Sequence, residues 1–298
     1  MTNPSRQLDE FWTIALSDET PPNNGRHEEN DEDPFLDSPQ VAQRLKTYSL
    51  PDGITLTVSC LPQREGIWSP LGAQAWHASS LLASYLIIAH RDDDLVHIVL
   101  ETIKSGNKHV TVLELGSGAV GLSGMTLATV LENTNCHSAS VLLTDLPHDG
   151  ILENLQDNVN RNKVSSFPNI DVQVQPLDWR DYIRGCAETV PSLPPLDLVI
   201  GSELVYTEET ARCCAAIVTR LLKDNPKLLI VIIQVMDRPG FELHFLQPLL
   251  NDFEIRIQQP IDAELHEVAT RIVASAGDQV GGTLDRFAYG ICWVRRKE

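Results

Sequence analysis

The sequence predicts an α/β fold: a mostly parallel sheet covered by helices on both faces, preceded by a small N-terminal hairpin. Three observations carry this expectation. From Val110 onward, apolar runs near 110–115, 141–145, 170–175, 196–201 and 228–235 alternate with helix-period stretches near 120–132, 149–162 and 208–223. Strand-helix alternation builds parallel sheets, because each helix returns the chain to the same end of the sheet. Leu196 to Ile200 and Leu228 to Ile233 are almost continuously apolar, as strands buried on both faces are. The 298 residues are 42% hydrophobic and 21% charged, with a mean hydropathy of -0.12. Such a chain has a sizeable core, and the composition excludes a wholly disordered chain, a collagen-like fibre and a membrane bundle.

Taken in order, the elements begin with an acidic segment. Residues 1–44 hold ten Asp and Glu against Arg6, Arg26 and Arg44, with several prolines. Such a stretch buries too little apolar area to offset its ordering entropy, so a flexible tail is expected. Within it, the short Leu8, Phe11, Trp12, Ile14 cluster could dock on the body or on a partner. Lys46 to Leu50 and Ile54 to Cys60 flank Pro51-Asp52-Gly53 and read as two strands joined by a tight turn. Between Ser69 and His90 the residues Leu71, Ala75, Ala78, Leu82, Tyr85, Leu86 and Ala89 recur at threes and fours, the period of a helix with one buried face.

The sheet's edges are legible too. Ile170, Val172 and Val174 alternate with Asp171, Gln173 and Gln175, which places the third strand of the parallel series at an edge. Phe253, Ile255 and Ile257 alternate with Glu254, Arg256 and Gln258, and a last apolar strand, Phe287 to Val294, is expected to form an antiparallel terminal hairpin with them at the opposite edge. Gly281-Gly282 reads as a turn between these two strands.

Charge and cysteine usage narrow the function classes. Lys+Arg 23 against Asp+Glu 41 gives a net charge of -18, with a pI near 4.8. The electrostatic footprint of a nonspecific nucleic-acid or anionic-membrane binder is missing, and a cationic partner is favoured. Neither Cys60, Cys136, Cys186, Cys213, Cys214 and Cys292 nor the nine histidines show metal-ligand or triad spacing, so no metal site is expected and the thiols read as reduced and structural. Cys213-Cys214 lies on a helix pattern and is expected to pack. Residues 1–20 lack a basic region followed by an apolar one, and no apolar run approaches the length of about 20 residues that crosses a bilayer. The expected compartment is cytoplasm, with the nucleus second.

The strongest local feature is Val112-Leu113-Glu114-Leu115-Gly116-Ser117-Gly118-Ala119-Val120-Gly121, a strand entering a glycine-rich turn and then a helix. Glycines let the backbone turn sharply and approach a ligand at a helix N-terminus. A tight turn with no ligand would need the same residues. Asp145, ending Leu142-Leu143-Thr144-Asp145, can hold the two hydroxyls of a ribose, a task common to NAD and S-adenosylmethionine sites. Glu114 separates the two. A carboxylate at the end of the first strand would repel a pyrophosphate and attract the α-ammonium of S-adenosylmethionine.

Glu114 to Gly124 (ELGSGAVGLSG), Thr144-Asp145-Leu146-Pro147, Leu177-Asp178-Trp179 and Ser202-Glu203-Leu204-Val205-Tyr206 form an ordered set, preceded by Gly72-Ala73-Gln74-Ala75-Trp76. The set resembles the class I, seven-β-strand S-adenosylmethionine-dependent methyltransferases of the methyltransferase-like group, in a fungal-type form. Many members are protein-lysine methyltransferases, including fungal enzymes acting on translation elongation factors. The resemblance covers about Lys46 to Val294, so residues 45–298 are expected to be one methyltransferase domain behind the tail. It implies a Rossmann-like seven-stranded sheet in the order 3-2-1-4-5-7-6 with the last strand antiparallel, which agrees with the edges read from alternation.

The resemblance further implies that Trp76 packs beside the cofactor and that Gly116, Ser117 and Gly118 line its methionine side, with Gly121 completing the turn. It implies that Asp145 holds the ribose, Trp179 lies at the adenine and Ser202 closes the site. For Trp76 and Trp179 ordinary core packing is the competing reading, and for Asp178 a cap or turn role competes with an adenine contact. The family's Asp-x-x-Tyr stands here as Glu203-x-x-Tyr206, longer by one methylene; a helix-capping Glu and a packed Tyr are the alternative.

Methyl transfer from a sulfonium is an in-line displacement by a neutral nucleophile. A lysine ionises near pH 10.4, so removing its proton at neutrality costs roughly 4 to 5 kcal/mol. Apolar walls and a cationic cofactor would lower that pKa, whereas a lone Glu203 carboxylate would raise it. Glu203 is therefore expected to position the amine rather than act as a strong base, with Tyr206 shaping the channel. The expected function is S-adenosylmethionine-dependent N-methylation of a lysine on a protein, such as a translation factor or chaperone, by a monomeric enzyme needing no direct nucleic acid and no membrane. A small-molecule N-methyltransferase for a nicotinamide-like amine, and a catalytically silent binding module of the same fold, are the alternatives.

Overall fold

The structure is a computed structural model that describes residues 45–61, 75–89, 109–134, 136–148, 150–184, 192–277, 284 and 287–297. The acidic segment 1–44, Gly72-Ala73-Gln74, Cys186 and Gly281-Gly282 lie outside the described residues.

Strands β1 (Leu45–Ser49) and β2 (Thr55–Ser59) form the N-terminal hairpin, antiparallel with Thr47 opposite Thr57. Asp52 takes a left-handed φ of 62° in the turn between them. Helix α1 (His77–Ala89) follows. The main sheet then alternates as expected: β3 (Val110–Leu115), α2 (Leu122–Asn133), β4 (Ala139–Asp145), α3 (Ile151–Arg161), β5 (Ile170–Pro176), short α4 (Arg180–Arg184), β6 (Leu198–Ser202), α5 (Glu208–Asp224) and β7 (Leu229–Val235). A wide-turn helix over Phe241–Leu246 runs into α6 (Gln247–Leu250), and β8 (Phe253–Gln258), α7 (Ala263–Ser275) and β9 (Tyr289–Arg296) complete the chain.

The seven strands stand in the order β5-β4-β3-β6-β7-β9-β8, with β9 antiparallel to both its neighbours and the other pairings parallel. This is the expected order. β5 and β8 occupy the edges, and on β5 exposed Asp171 and Gln173 alternate with buried Ile170 and Val172. β6 and β7 are covered on both faces, and every residue of β7 is buried. One element departs from the sequence reading. A full helix, α7, separates β8 from β9, started by the Asp262 carboxylate accepting the Glu264 N–H at 2.8 Å. Its apolar face, Leu265, Val268, Ala269, Ile272 and Val273, is buried, with α7 packed on α1 and β1, so the expected terminal hairpin is a helix-bridged antiparallel pair.

Two apolar layers flank the sheet. On one side α1, α2, α3 and α7 pack with the hairpin residues Tyr48, Leu56 and Val58; on the other, α5 and residues 241–249 pack over Leu113, Val199 and Ile230. Strand alternation divides β3 between these layers: Val110 and Val112 face α2, while Leu113 and Leu115 face α5. Thr207 starts α5 with a reciprocal cap, accepting the Thr210 N–H at 3.2 Å while Thr210 Oγ1 accepts the Thr207 N–H at 2.9 Å. Thr210 Oγ1 also takes the Tyr206 N–H at 2.9 Å, so the helix start fixes the tyrosine ahead of it.

Among the described residues no group of His, Cys, Asp and Glu could hold a metal ion, and no helix is long and apolar enough to cross a membrane. Cys60, Cys136, Cys213, Cys214 and Cys292 are buried outside any disulfide. Burial pushes the Cys292 thiol up to about 12, and Cys214 higher, so neither is a thiolate at neutral pH.

Candidate active site

The carboxyl ends of β3, β4 and β6 bring the motifs together, where open parallel sheets place their ligands. After Leu115 the chain turns through Gly116 at φ +66° and Gly118 at φ +62°, a left-handed backbone that glycine adopts without strain. A Cβ on Gly116 would also come within 3.0 Å of Leu204 and 3.4 Å of the Trp179 ring. The bare backbone here is thus a matter of space as well as conformation.

The turn is pinned to β4. Ser117 donates its N–H to the Thr144 carbonyl at 2.9 Å, and its hydroxyl accepts the Thr144 N–H at 3.1 Å. Gly118 donates its N–H to Asp145 Oδ2 at 2.7 Å, while Asp145 Oδ1 takes the Leu146 N–H at 2.7 Å. Burial raises the Asp145 pKa and these two N–H groups oppose the rise. Gly121 caps the start of α2, where a side chain would collide with Leu155.

Glu114 lies beneath this turn, on the α2 face that β3's alternation assigns to it, and is only 2% exposed. Gly124 leaves the room its carboxylate occupies. Oε2 makes no hydrogen bond of ordinary geometry, although the Ser117 and Ser123 hydroxyls and the Gly124 N–H lie near enough to favour its charge. Burial outweighs them and pushes the Glu114 pKa up to about 7. The group therefore acts on the turn from below, through the first turn of α2, rather than from the open side of the crevice.

Trp179 stands over Gly116, half-buried, with its indole Nε1 enclosed and lacking a hydrogen-bond partner. Asp178 takes a local role: Oδ1 accepts the Arg180 N–H at 2.9 Å, and its carboxylate pairs with the Arg180 guanidinium at 2.8 Å. Both the cap and the ion pair face α4. Trp76 directly precedes α1, 39% exposed as a residue, its carbonyl accepting the N–H and hydroxyl of Ser79. Ser202 ends β6, half-buried.

Glu203 departs from what its sequence context implied. It adopts φ +51°, is 1% exposed, and spends both oxygens inside the protein. Oε1 accepts from the Val235 N–H at 2.8 Å and from Gln234 Nε2 at 3.0 Å; Oε2 pairs with Arg238 at 2.6 Å. A carboxylate so engaged holds the turn after β6 against β7 and is not extended toward an incoming amine. Burial raises its pKa, and Arg238 opposes that most. Arg238 had no place in the sequence reading, because 35 residues separate the partners. Its guanidinium also lies 5.4 Å from the centre of the Phe287 ring. Tyr206 is held by the α5 cap, and burial, reinforced by the Glu203 and Asp145 charges, lifts its pKa far above the usual phenol value. Its hydroxyl keeps its proton at neutral pH.

Two clefts of about 380 and 300 Å³ near β8 touch neither the glycine turn nor Asp145, and the residues at the strand ends locate the site. The donor set there fits S-adenosylmethionine: bare backbone at Gly116, a half-buried carboxylate at the end of β4 for a diol, and an unsatisfied indole N–H.

Sheet order, glycine turn and strand-end acid together define the class I methyltransferase architecture. The chain belongs to the lysine methyltransferase family, whose model matches residues 60–252. Over 110 residues, 37% of this chain, it is 36% identical to protein-lysine N-methyltransferase EFM2 of Saccharomyces cerevisiae, and that stretch spans about a quarter, 24%, of the relative's length. Similar solved structures include a Listeria monocytogenes protein provisionally assigned to the class I S-adenosylmethionine-dependent methyltransferases (11% identity, TM-score 0.47, 78% of this chain and 64% of that one). A human methyltransferase 10 domain containing protein is another (12% identity, TM-score 0.37, 74% and 98%).

Proposed function

We propose that this chain is an S-adenosylmethionine-dependent N-methyltransferase whose acceptor is a lysine side chain of a protein. The observation that carries the reading is the pinned turn, with Gly118 N–H on Asp145 beside a bare Gly116 under Trp179, inside the stretch matched by the lysine methyltransferase family. The likeness to a protein-lysine enzyme supports a protein as the acceptor.

When bound, the cofactor supplies an electrophilic methyl group on a sulfonium. The residues of this chain orient and desolvate. Asp145 holds the sugar end and Trp179 covers the adenine end. Tyr206, protonated and with its backbone N–H held by the α5 cap, offers its hydroxyl oxygen as acceptor for an amine N–H, so that the nitrogen lone pair points at the methyl group. Glu203 alone would hold a lysine in its charged form; its pairing with Arg238 at 2.6 Å offsets part of that field, and desolvation in the site favours the neutral amine.

Tritiated S-adenosylmethionine mixed with the protein and a cell lysate is expected to label a discrete protein band. Label confined to small molecules would overturn the choice of acceptor. Asp145→Ala is expected to abolish adenosylhomocysteine binding in calorimetry. Tyr206→Phe is expected to leave that binding intact and lower turnover about tenfold or more, and the opposite pattern would mean the two roles are exchanged.

A further inference from the structure

Helix α3 and its C-cap present Asn154, Asn158 and Asn162 at intervals of four residues, and the first two are buried to 4% and 0% exposure. Asparagine is a poor choice for a buried helix face unless every amide hydrogen bond is met. Here all three Nδ2 groups donate to backbone carbonyls, and the oxygens of Asn158 and Asn162 accept backbone N–H groups. Asn162 pairs with Thr57 as a second strand would, its Oδ1 accepting the Thr57 N–H at 2.8 Å and its Nδ2 donating to the Thr57 carbonyl at 2.9 Å. Asn158 repeats this two residues along β2, accepting the Ser59 N–H at 2.7 Å and donating to the Ser59 carbonyl at 2.9 Å. The match is geometric. Four helical residues rise about 6 Å and two strand residues advance about 6.7 Å, so amides four apart on α3 fall beside alternate residues of the β2 edge. The ladder closes that edge without another strand.

The ladder does more at its upper end. Asn158 Nδ2 also donates to the Ala119 carbonyl at 2.9 Å, and Asn154 Nδ2 donates to both Ser59 and Ala119 carbonyls, at 2.8 and 2.7 Å. Two amide groups thus fill the acceptor capacity of two carbonyls, one on the hairpin and one in the glycine turn between Gly118 and Gly121. β4 pins that turn from the Ser117 and Gly118 side; the asparagines pin it from the Ala119 side.

We propose that Asn154 and Asn158 are positioning residues for the glycine turn, locking the Ala119 carbonyl to the Ser59 backbone so that the N-terminal hairpin sets the geometry of the cofactor crevice. The consequence for the cofactor rests on the function proposed above; the mechanical coupling does not. Asn162 provides the control, since it grips the same strand and makes no bond to the turn.

The experiment compares Asn154→Ala with Asn162→Ala in the full chain by two readouts. In hydrogen exchange without ligand, the amides of residues 117–121 are expected to exchange faster in Asn154→Ala and at the wild-type rate in Asn162→Ala. In calorimetry with adenosylhomocysteine, Asn154→Ala is expected to weaken binding about tenfold, as losing one to two net hydrogen bonds would, and Asn162→Ala to stay within about twofold. Should Asn154→Ala not fold, Asn154→Ser, which keeps one donor, is expected to give the same ordering at smaller amplitude. Equal exchange and equal affinity in the two variants would overturn the proposal. Wild-type protein that ignores adenosylhomocysteine would overturn the function reading instead, and the exchange measurement alone would then decide the coupling.

Discussion

At the scale of single residues, Glu114 shows how a strand's alternation can decide what a conspicuous carboxylate does. Its position in the motif pointed to the open side of the turn, yet the parity that buries Val110 and Val112 against α2 turns Glu114 the same way, beneath the first turn of that helix. The parity was legible in the sequence; its meaning was not, because only the folded chain shows which face α2 covers. Burial there has a stability consequence. Glu114 ionises near 4.5 when exposed and near 7 in the folded protein, so between those values the folded state holds more protons than the unfolded one. Stability must then fall as pH rises through this window and level off above it, by about 3 kcal/mol for this one group. Glu114→Gln, which keeps the shape and removes the titration, is expected to match the ligand-free wild type near pH 4.5 and to melt progressively higher than it toward pH 7.5. Thermal unfolding at a series of pH values checks this, and melting temperatures that run parallel across the series would refute the role of burial.

At the scale of elements, the turn after β6 is held by a contact between β-strand ends rather than by its own residues. Glu203 sits at a positive φ, which a non-glycine residue adopts only where surrounding bonds enforce it, and the enforcing bonds come from Val235, Gln234 and Arg238 at the end of β7. Sequence alone placed β6, β7 and the glutamate, but a pair closed across 35 residues leaves no periodic signal, and neither does the asparagine ladder between α3 and β2. Helix α7 was missed for a different reason: its apolar spacing was present, but a simple hairpin already accounted for β8 and β9. Removing Arg238 would strand a buried carboxylate, since the Glu203 side chain is 2% exposed and the arginine's only 15%. Arg238→Ala is therefore expected to lose about 3 kcal/mol near pH 8, and less near pH 5, where Glu203 can take up a proton. Adding Glu203→Gln, which retains an acceptor for the Val235 N–H, is expected to recover most of that loss. Denaturant melts of the single and double variants at both pH values check it; additive losses would mean the pair is not the source of the turn's stability.

At the scale of the whole molecule, sheet order was the most legible property, because edge strands alternate and central strands do not: Asp171 and Gln173 on β5 against the unbroken apolar run of β7. Net charge is the other property that belongs to no single residue. With -18 at neutral pH, of which residues 1–44 hold ten acidic side chains against three arginines, the chain's field favours a basic surface over distances near a Debye length, about 8 Å at physiological salt, and on the function proposed above that surface is the acceptor protein's. That attraction acts on encounter and leaves the aligned amine and methyl group untouched, so salt should act on KM and spare kcat. With the protein band labelled in the transfer assay purified as substrate, raising salt from 50 to 300 mM is expected to raise KM about fivefold or more at constant kcat. The KM for S-adenosylmethionine, held by short-range contacts at the strand ends, is expected to change by less than about twofold. Deleting residues 1–44 removes part of the field and is expected to flatten the salt dependence of the protein's KM; a truncated enzyme with the full slope would place the attracting charge on residues 45–298 alone.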